Sequence, residues 1–344
     1  MRETNASRAG TLRGMLRPVR SALFLIVPLG LACAAIHLIA GVRIESALTE
    51  GLIYMIIVIG LSIFVSNTGI VSFGHVGFAM IGAYASAWQT CCGPLRVVFL
   101  PDLPTWLLKA SVPWFPALLV SAAAASVAAL AAGAALMRLS GTVASIALLS
   151  MLFVMKTVYE NWNGWAAGQS AIVGLPNYVT LWIAFGFAAG AIVVASVYRM
   201  SSFGVRAQAI REDEVAARAS GVNAWLQKLI AFVLSAFVVA VGGVLYGHYL
   251  GSITVSMFWL DMTFITIAML VVGGTRSLTG AVVGTLFVTL MRQCFQTFER
   301  GLPVAPNLSL PQGSGEIVLG LVLLCVLIFR PQGLVGDHEF GERG

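Results

Sequence analysis

The charged side chains that could bind a partner are concentrated between Arg206 and Gly221. Six of the thirteen residues from Arg206 to Arg218 are charged, whereas charged residues make up only 10% of the 344-residue chain. Glu214 precedes Arg218 by four residues, which is the favourable order for an ion pair on one helix face. Carboxylates and guanidinium groups of this kind can form ion pairs with a partner at the edge of an interface.

The same segment predicts a short helix that also has an apolar face. Small or apolar residues share that face at helical spacing: Ala207, Ile210, Ala217 and Gly221. Gly221 suits the left-handed position just past a helix end, and Asn223 can cap the helix that follows. The spacing alone leaves two interpretations open, a helix that docks into a partner and a solvated helix that has none.

Two polar breaks that contain glycine interrupt the apolar runs, at Ser66–His75 and Gly273–Gly280. In a transporter, such breaks indicate an unwound stretch beside the solute path. The residues that could line it are Asn67, Thr68, Ser72, Gly74, His75, Gly273 and Gly274. An ordinary turn at the membrane surface explains the breaks equally well, and a lone histidine among glycines is more often a hydrogen-bonded packing residue than a proton carrier.

The elements that position these residues are membrane-spanning helices. Hydrophobic residues make up 59% of the chain and its mean hydropathy is +0.92, well above the values of soluble proteins. The apolar residues form runs long enough for helices, which argues against an outer-membrane barrel. We therefore expect an all-α polytopic membrane protein of about ten transmembrane helices. Short outer loops are expected at Arg43–Glu50, at 90–113 and at 295–315.

The distribution of basic residues predicts the orientation. Fourteen lysines and arginines fall in the loops assigned to the cytoplasm and six in the outer set, which favours both termini inside. The predicted organisation is a basic cytoplasmic segment at 1–21, a transmembrane domain at 22–334 and a cytoplasmic tail at 335–344. A coupling loop at 200–227 lies between spans six and seven. The same bias explains the net charge of +6, so no nucleic-acid partner is expected.

The sequence lacks the residues that several classes of function require. The phosphate-binding motif G-x-x-x-x-G-K-[ST] is absent, so the chain should not hydrolyse ATP itself. We expect no aspartate, glutamate or lysine near a span centre, as an ion-coupled carrier would often need. No catalytic constellation is apparent. The cysteine spacing favours neither a metal site nor a structural disulfide, so no catalytic residue, metal or cofactor is expected.

The sequence resembles a known family at several motifs that occur in order. AIREDEVAARASGVN and the run at 228–247 look like the permeases of branched-chain amino-acid ABC importers. The similarity extends to 51–84, to VVGGTRSLTGAVVG at 271–284 and to FRPQGLVG at 329–336. It covers most of the chain from Gly51 onward. Departures in the loop 166–176, and Arg276 and Ala281 where the family has glycine and proline, leave the solute open.

The resemblance implies a role for the charged segment. In that family the element E-x-A-A-x-x-x-G docks into a groove on the ATPase subunit, and here it falls on Glu214, Ala216, Ala217 and Gly221. Arg211 and Arg218 would pair at the rim of the groove. The implied partners are ABC ATPase subunits, which bind the ATP, a second homologous permease chain, a periplasmic solute-binding protein and membrane lipid.

The function implied is that of a permease subunit in the bacterial inner membrane, not an enzyme, for branched-chain or related amino acids. A permease for urea, amides or another small polar solute is the alternative within this class. An ion-coupled secondary transporter or channel, and a membrane scaffold that transports nothing, are the alternatives from other classes.

Overall fold

The computed structural model describes residues 2–39, 41–91, 96–105, 107, 112–299, 313–330 and 332–336, with the backbone alone for 2–20. In chain order the helices are α1 (Arg2–Ile39), α2 (Val42–Thr68), α3 (His75–Thr90), α4 (Arg96–Phe99), α5 (Trp114–Leu136), α6 (Gly141–Asn161), α7 (Asn163–Ala166), α8 (Leu181–Met200), α9 (Ser202–Glu212), α10 (Glu214–Ala219), α11 (Ala224–Leu250), α12 (Leu260–Gly273), α13 (Leu278–Glu299) and α14 (Ser314–Phe329). A four-residue 3₁₀ turn, Val255–Phe258, precedes α12.

Eight of the described helices are long and apolar enough to cross a membrane. These are the Ser21–Ile39 part of α1, α2, α5, α6, α8, α11, the 3₁₀ turn with α12, and α13. Helices α3 and α14 are also apolar but have only 16 residues each. The chain is therefore an all-α, multi-pass membrane protein, as the sequence predicts, while the count of about ten spans stays a prediction.

Helices α2 and α11 form the centre of the bundle. Nearly every residue of α2 from Gly51 to Thr68 is buried, and α11 packs against α2, α3 and α5. Glycines allow this close approach, because a Cβ at Gly60 would lie 2.9 Å from the backbone nitrogen of Val239. The Ser235 hydroxyl donates a hydrogen bond of 2.6 Å to the carbonyl of Gly60, so the two helices also bond directly.

A two-residue antiparallel pair holds the loop before α8 against the end of α11. Strand β1 (Ile172–Val173) pairs with β2 (Ser252–Ile253), with Ile172 opposite Ile253. The carbonyl of Gly251 then accepts hydrogen bonds from the amides of Gly174 and Leu175, both 3.1 Å long. Backbone hydrogen bonds therefore hold the loop before α8 to the end of α11.

Two expectations about helix boundaries are wrong. The stretch Arg43–Glu50, expected as an outer loop, forms the first turns of α2. Asn67 and Thr68, expected in an unwound break, belong to the last turn of α2. Their side chains donate to the carbonyls of Ile63 and Phe64, each at 2.8 Å, which satisfies them within the helix. The break is therefore confined to the segment between Gly69 and Gly74.

The expected division of the chain into segments stays a prediction. The described backbone of the basic segment continues into the first span as one helix, α1. Residues 300–312 of the expected outer loop and 337–344 of the expected tail lie outside the described residues. Cys91, at the end of α3, takes part in a disulfide, so the expectation that the cysteines form none is wrong.

Candidate coupling site and translocation path

The charged segment folds as two helices rather than the single helix that the sequence predicts. Helix α9 ends at Glu212, and Asp213 adopts an extended conformation with φ −153° and ψ 106°. Its carboxylate accepts hydrogen bonds from the amides of Val215 and Ala216, at 2.8 and 3.0 Å, and so caps α10. Asp213 therefore starts a new helix where the charge pattern alone indicated continuity.

The turn after α10 is as predicted. Gly221 has φ +82°, and the amide of Val222 bonds to the carbonyl of Ala217 at 3.1 Å, which closes the end of the helix. The side chain of Asn223 accepts from the amide of Leu226 at 3.1 Å and caps α11. These two residues fix the angle between the short helix and the long one.

Three of the four residues of the predicted apolar face point into the protein, whereas Gly221 is exposed. Ala207, Ile210 and Ala217 are buried, and the last two pack together with Ala224 at the start of α11. Ala217 therefore packs on its own chain in this structure, and its part in docking stays a prediction. The exposed face of α10 instead carries Val215, 79% exposed, with Ala216, Arg218 and Ala219 beside it.

Glu214 forms two ion pairs, of which the one with Lys228 anchors α10 to α11 and the one with Arg218 lies within α10. Its carboxylate lies 2.8 Å from Nζ of Lys228, whose side chain is only 3% exposed, and 2.5 Å from Nη2 of Arg218. Partial burial, the largest single influence, raises the pKa of Glu214, but the bonds and charges of Lys228 and Arg218 outweigh it and hold the pKa below the ordinary value. The carboxylate is therefore ionised at neutral pH.

Helix α9 is bonded to the last turn of α2. Arg211 donates from Nη1 to the carbonyl of Ser66 at 2.5 Å and pairs with Glu212 at 2.7 Å. Gln208 donates from Nε2 to Oδ1 of Asn67 at 3.0 Å. The charged segment thus contacts the residues that precede the first glycine-containing break.

The second glycine-containing break lies against the same segment. Arg199, at the end of α8, donates to the carbonyl of Arg276 at 2.7 Å, and the Arg276 guanidinium lies 4.0 Å from the Glu212 carboxylate. From the other side, the amides of Leu334 and Val335 bond to the carbonyls of Val272 and Gly273, at 2.8 and 3.1 Å. The end of α12 and the turn after it are therefore contacted by α8 and α9 on one side and by the segment 332–336 on the other.

The residues proposed for the translocation path are packed in this structure. Asn67, Thr68, Ser72, Gly74, His75 and Gly273 are buried, and Gly274 has φ +126° in the turn after α12. The His75 ring bonds through Nδ1 to the Ser72 hydroxyl and lies 5.2 Å from the rings of Phe64 and Phe232. Their part in solute passage stays a prediction.

Sequence reasoning missed three residues of this site: Gln208, Val215 and Lys228. Lys228 was counted only among the cytoplasmic charges, and its partner lies 14 residues earlier, beyond any helical spacing. The sequence did contain a signal for the boundary between α9 and α10, since Asp213 followed by an acidic residue in the first turn is typical of a helix N-terminus. Val215 then follows as an exposed apolar residue on a new helix.

The comparisons with known proteins agree on one family. Residues 43–327 match the family described as branched-chain amino acid transport system, permease component. The high-affinity branched-chain amino acid transport system permease protein LivM of Salmonella typhimurium is 24% identical, over 92% of this chain and 75% of that protein. LivH of Escherichia coli K12, a permease protein of the same description, is 25% identical over 86% of this chain and 94% of that protein.

The family match spans the charged segment and both glycine-containing breaks. It names a transport component, not an enzyme. The chain belongs to the family of branched-chain amino acid transport system permease components.

Proposed function

We propose that this chain is the membrane permease of an ABC importer in the bacterial inner membrane. It translocates branched-chain or related amino acids, as the names of its relatives support. A separate ATPase subunit binds ATP and drives it, a periplasmic binding protein delivers the solute, and a second permease chain completes the pore. The end of the bundle that carries α9 and α10, the coupling end, faces the cytoplasm.

The observation that carries this proposal is the asymmetry of α10. One face is fixed to the bundle by the Glu214–Lys228 pair and by buried Ala217. The other face exposes Val215 and Ala216 between the charges of Asp213 and Arg218. Small apolar residues with charges at the edge are suited to a groove on another protein. Because the buried face of α10 is fixed to the bundle, a force that a partner applies to the exposed face can be transmitted to the bundle.

The contacts of α9 connect the docking surface on α10 to the transmembrane helices. Arg211 and Gln208 bond to the end of α2, and Glu212 faces Arg276 in the second break. A shift of α9 and α10 on closure of the ATPase would therefore reach both glycine-containing segments. Rigid movement of a packed helix about such segments is a common way to open and close a path.

The test is whether an ATPase binds the exposed face of α10. The ATPase encoded beside this chain is co-expressed with it and recovered from detergent on the tagged permease. Val215→Asp places a charge where an apolar groove is proposed, without touching the contacts that hold α10 to the bundle. We expect recovery of the ATPase to fall about tenfold, because the carboxylate loses its water on docking.

A matched control is Val173→Asp. This valine is also exposed, at 51%, and it lies in β1 at the end of the bundle opposite α10. It should leave recovery of the ATPase unchanged. If Val215→Asp binds the ATPase as well as the control does, α10 is not the docking element.

A further inference from the structure

One membrane-spanning helix, α6, exposes polar side chains from its middle to its last residue. Ser150, the tenth of its 21 residues, is exposed, and so are Thr157 and Asn161. Their separations of seven and four residues place them on one side of the helix, which we call the polar face of α6. By contrast, every exposed residue of α5 and α8 is apolar or a glycine, as expected of helices that contact lipid.

A charged pair lies beside the polar face. Nζ of Lys156 is 2.8 Å from the Glu160 carboxylate and 4.5 Å from the centre of the Trp259 ring, and both charged side chains are 24% exposed. Lys156 precedes the end of α6 by about 8 Å, at the rise of an α-helix. Charged residues within membrane helices mostly face other protein or a water-filled cavity rather than lipid. The pair is fully formed, so it indicates what surrounds this face and is not itself a free binding group.

The hydroxyl groups of the polar face can contact a solute weakly. The Ser150 hydroxyl donates to the carbonyl of Ile146 at 3.0 Å. The Thr157 hydroxyl donates to the carbonyl of Phe153 at 2.9 Å. Each hydroxyl oxygen keeps lone pairs that can accept from water or from an ammonium group. Weak contacts of this kind suit a path, because a transported solute must be able to leave each place that it occupies.

Helix α6 also packs on the first glycine-containing break. A Cβ at Gly74 would overlap the carbonyl oxygen of Leu148 in α6, so the two segments are in close contact. The break follows the last turn of α2, to which Arg211 of α9 is bonded. The break residues Ser72 and His75 are themselves buried. A movement of the charged segment would therefore reach α6 through the break.

We propose that the polar face of α6 lines the water-filled path by which the solute crosses the membrane. Val143, Ile146 and Val154 are exposed on the same side of the helix, which suits an aliphatic amino acid with one polar and one apolar part. The second permease chain would close the path from the opposite side. This rests on the proposed function and assigns the path to the helix that the buried break contacts.

The test asks whether water reaches the polar face. Ser150→Cys is introduced into the complete importer in lipid nanodiscs, and Val127→Cys is the matched control. Val127 is 67% exposed and lies near the middle of α5, so both substitutions fall at exposed positions near the middle of a span. The importer is treated with MTSET, a cationic thiol reagent that does not enter lipid. Peptide mass spectrometry follows modification at the substituted position and separates it from that of the native cysteines.

Ser150→Cys should be modified at least about tenfold faster than Val127→Cys, because the reagent attacks a thiolate and a thiol in lipid does not ionise. Modification should also abolish ATP-dependent uptake of leucine relative to the same variant untreated, since it places a bulky cation in the path. Treated Val127→Cys should keep its uptake. Thr157→Cys gives the same test at a second position if Ser150→Cys does not assemble.

Two results would overturn the path. One is modification of Ser150→Cys and Thr157→Cys no faster than that of Val127→Cys, both at rest and during ATP turnover. This is the result expected of a face that contacts lipid or is covered by the second permease chain. The other is rapid modification without loss of uptake, which would mean that the solute passes elsewhere.

Uptake by the untreated wild-type importer separates this inference from the proposed function. If leucine is taken up while the polar face of α6 is unreactive, only the path is wrong. If no amino acid is taken up, the proposed function is wrong.

Discussion

At the scale of single residues, Lys228 and Glu214 form an ion pair whose two members are unequally buried. The Lys228 side chain is 3% exposed and that of Glu214 is 25% exposed. A buried ammonium group needs a compensating charge, whereas Glu214 also has Arg218 and some access to water. The cost of breaking the pair therefore depends on which partner is removed.

Glu214→Gln should destabilise the chain more than Lys228→Met. The glutamine leaves the Lys228 ammonium buried and unpaired, at a cost of about 2 kcal/mol, less than for a pair fully removed from water. Lys228→Met leaves Glu214 paired with Arg218. The double variant should recover part of the loss. Thermal unfolding in detergent, followed by tryptophan fluorescence, measures the order of the three variants.

The same variant gives a pH dependence whose sign follows from the lowered pKa of Glu214. The stability that the carboxylate contributes is fully present above its ordinary pKa of 4.5 and is lost as the pH falls through the lowered value. The difference in Tm between wild type and Glu214→Gln should therefore shrink in acid. A difference that stays constant to pH about 3 would contradict the role of this carboxylate.

At the scale of elements, α10 is too short to be stable without its surroundings. It has six residues, and isolated helices of fewer than about 12 residues are marginal in water. Three features keep α10 folded before any partner binds: the Asp213 cap, the Glu214–Lys228 pair and the buried side chain of Ala217. A preformed docking helix avoids the entropy cost of ordering a loop on binding. Its movement can then pass through α11, provided that α11 is firmly packed.

Gly243→Ala tests that packing. A Cβ at Gly243 of α11 would overlap the backbone of Ala79 in α3. The helices would have to separate, at a cost of about 1–3 kcal/mol or more. Gly190→Ala in α8 is the control, because no described atom lies within 4 Å of its added Cβ. Thermal unfolding should show a lower Tm for Gly243→Ala only, and equal values for both would mean that α3 and α11 are not closely packed.

At the scale of the whole molecule, the sequence predicts what depends on local pattern. The apolar runs predicted the membrane helices, and Gly221 and Asn223 predicted the turn before α11. Features that depend on distant partners were not predictable. Glu50 reads as a loop residue because its partner Arg292 lies 242 positions away. The apolar face of α9 and α10 was found, but spacing cannot tell whether a face meets its own chain or another.

ATP-dependent uptake tests the central claim most directly. The chain is reconstituted in proteoliposomes with its ATPase, second permease and binding protein, and uptake of radiolabelled leucine is measured. We predict uptake that requires ATP and the binding protein, persists without any ion gradient, and falls to background with Val215→Asp. Uptake that a proton or sodium gradient drives without ATP would contradict the account.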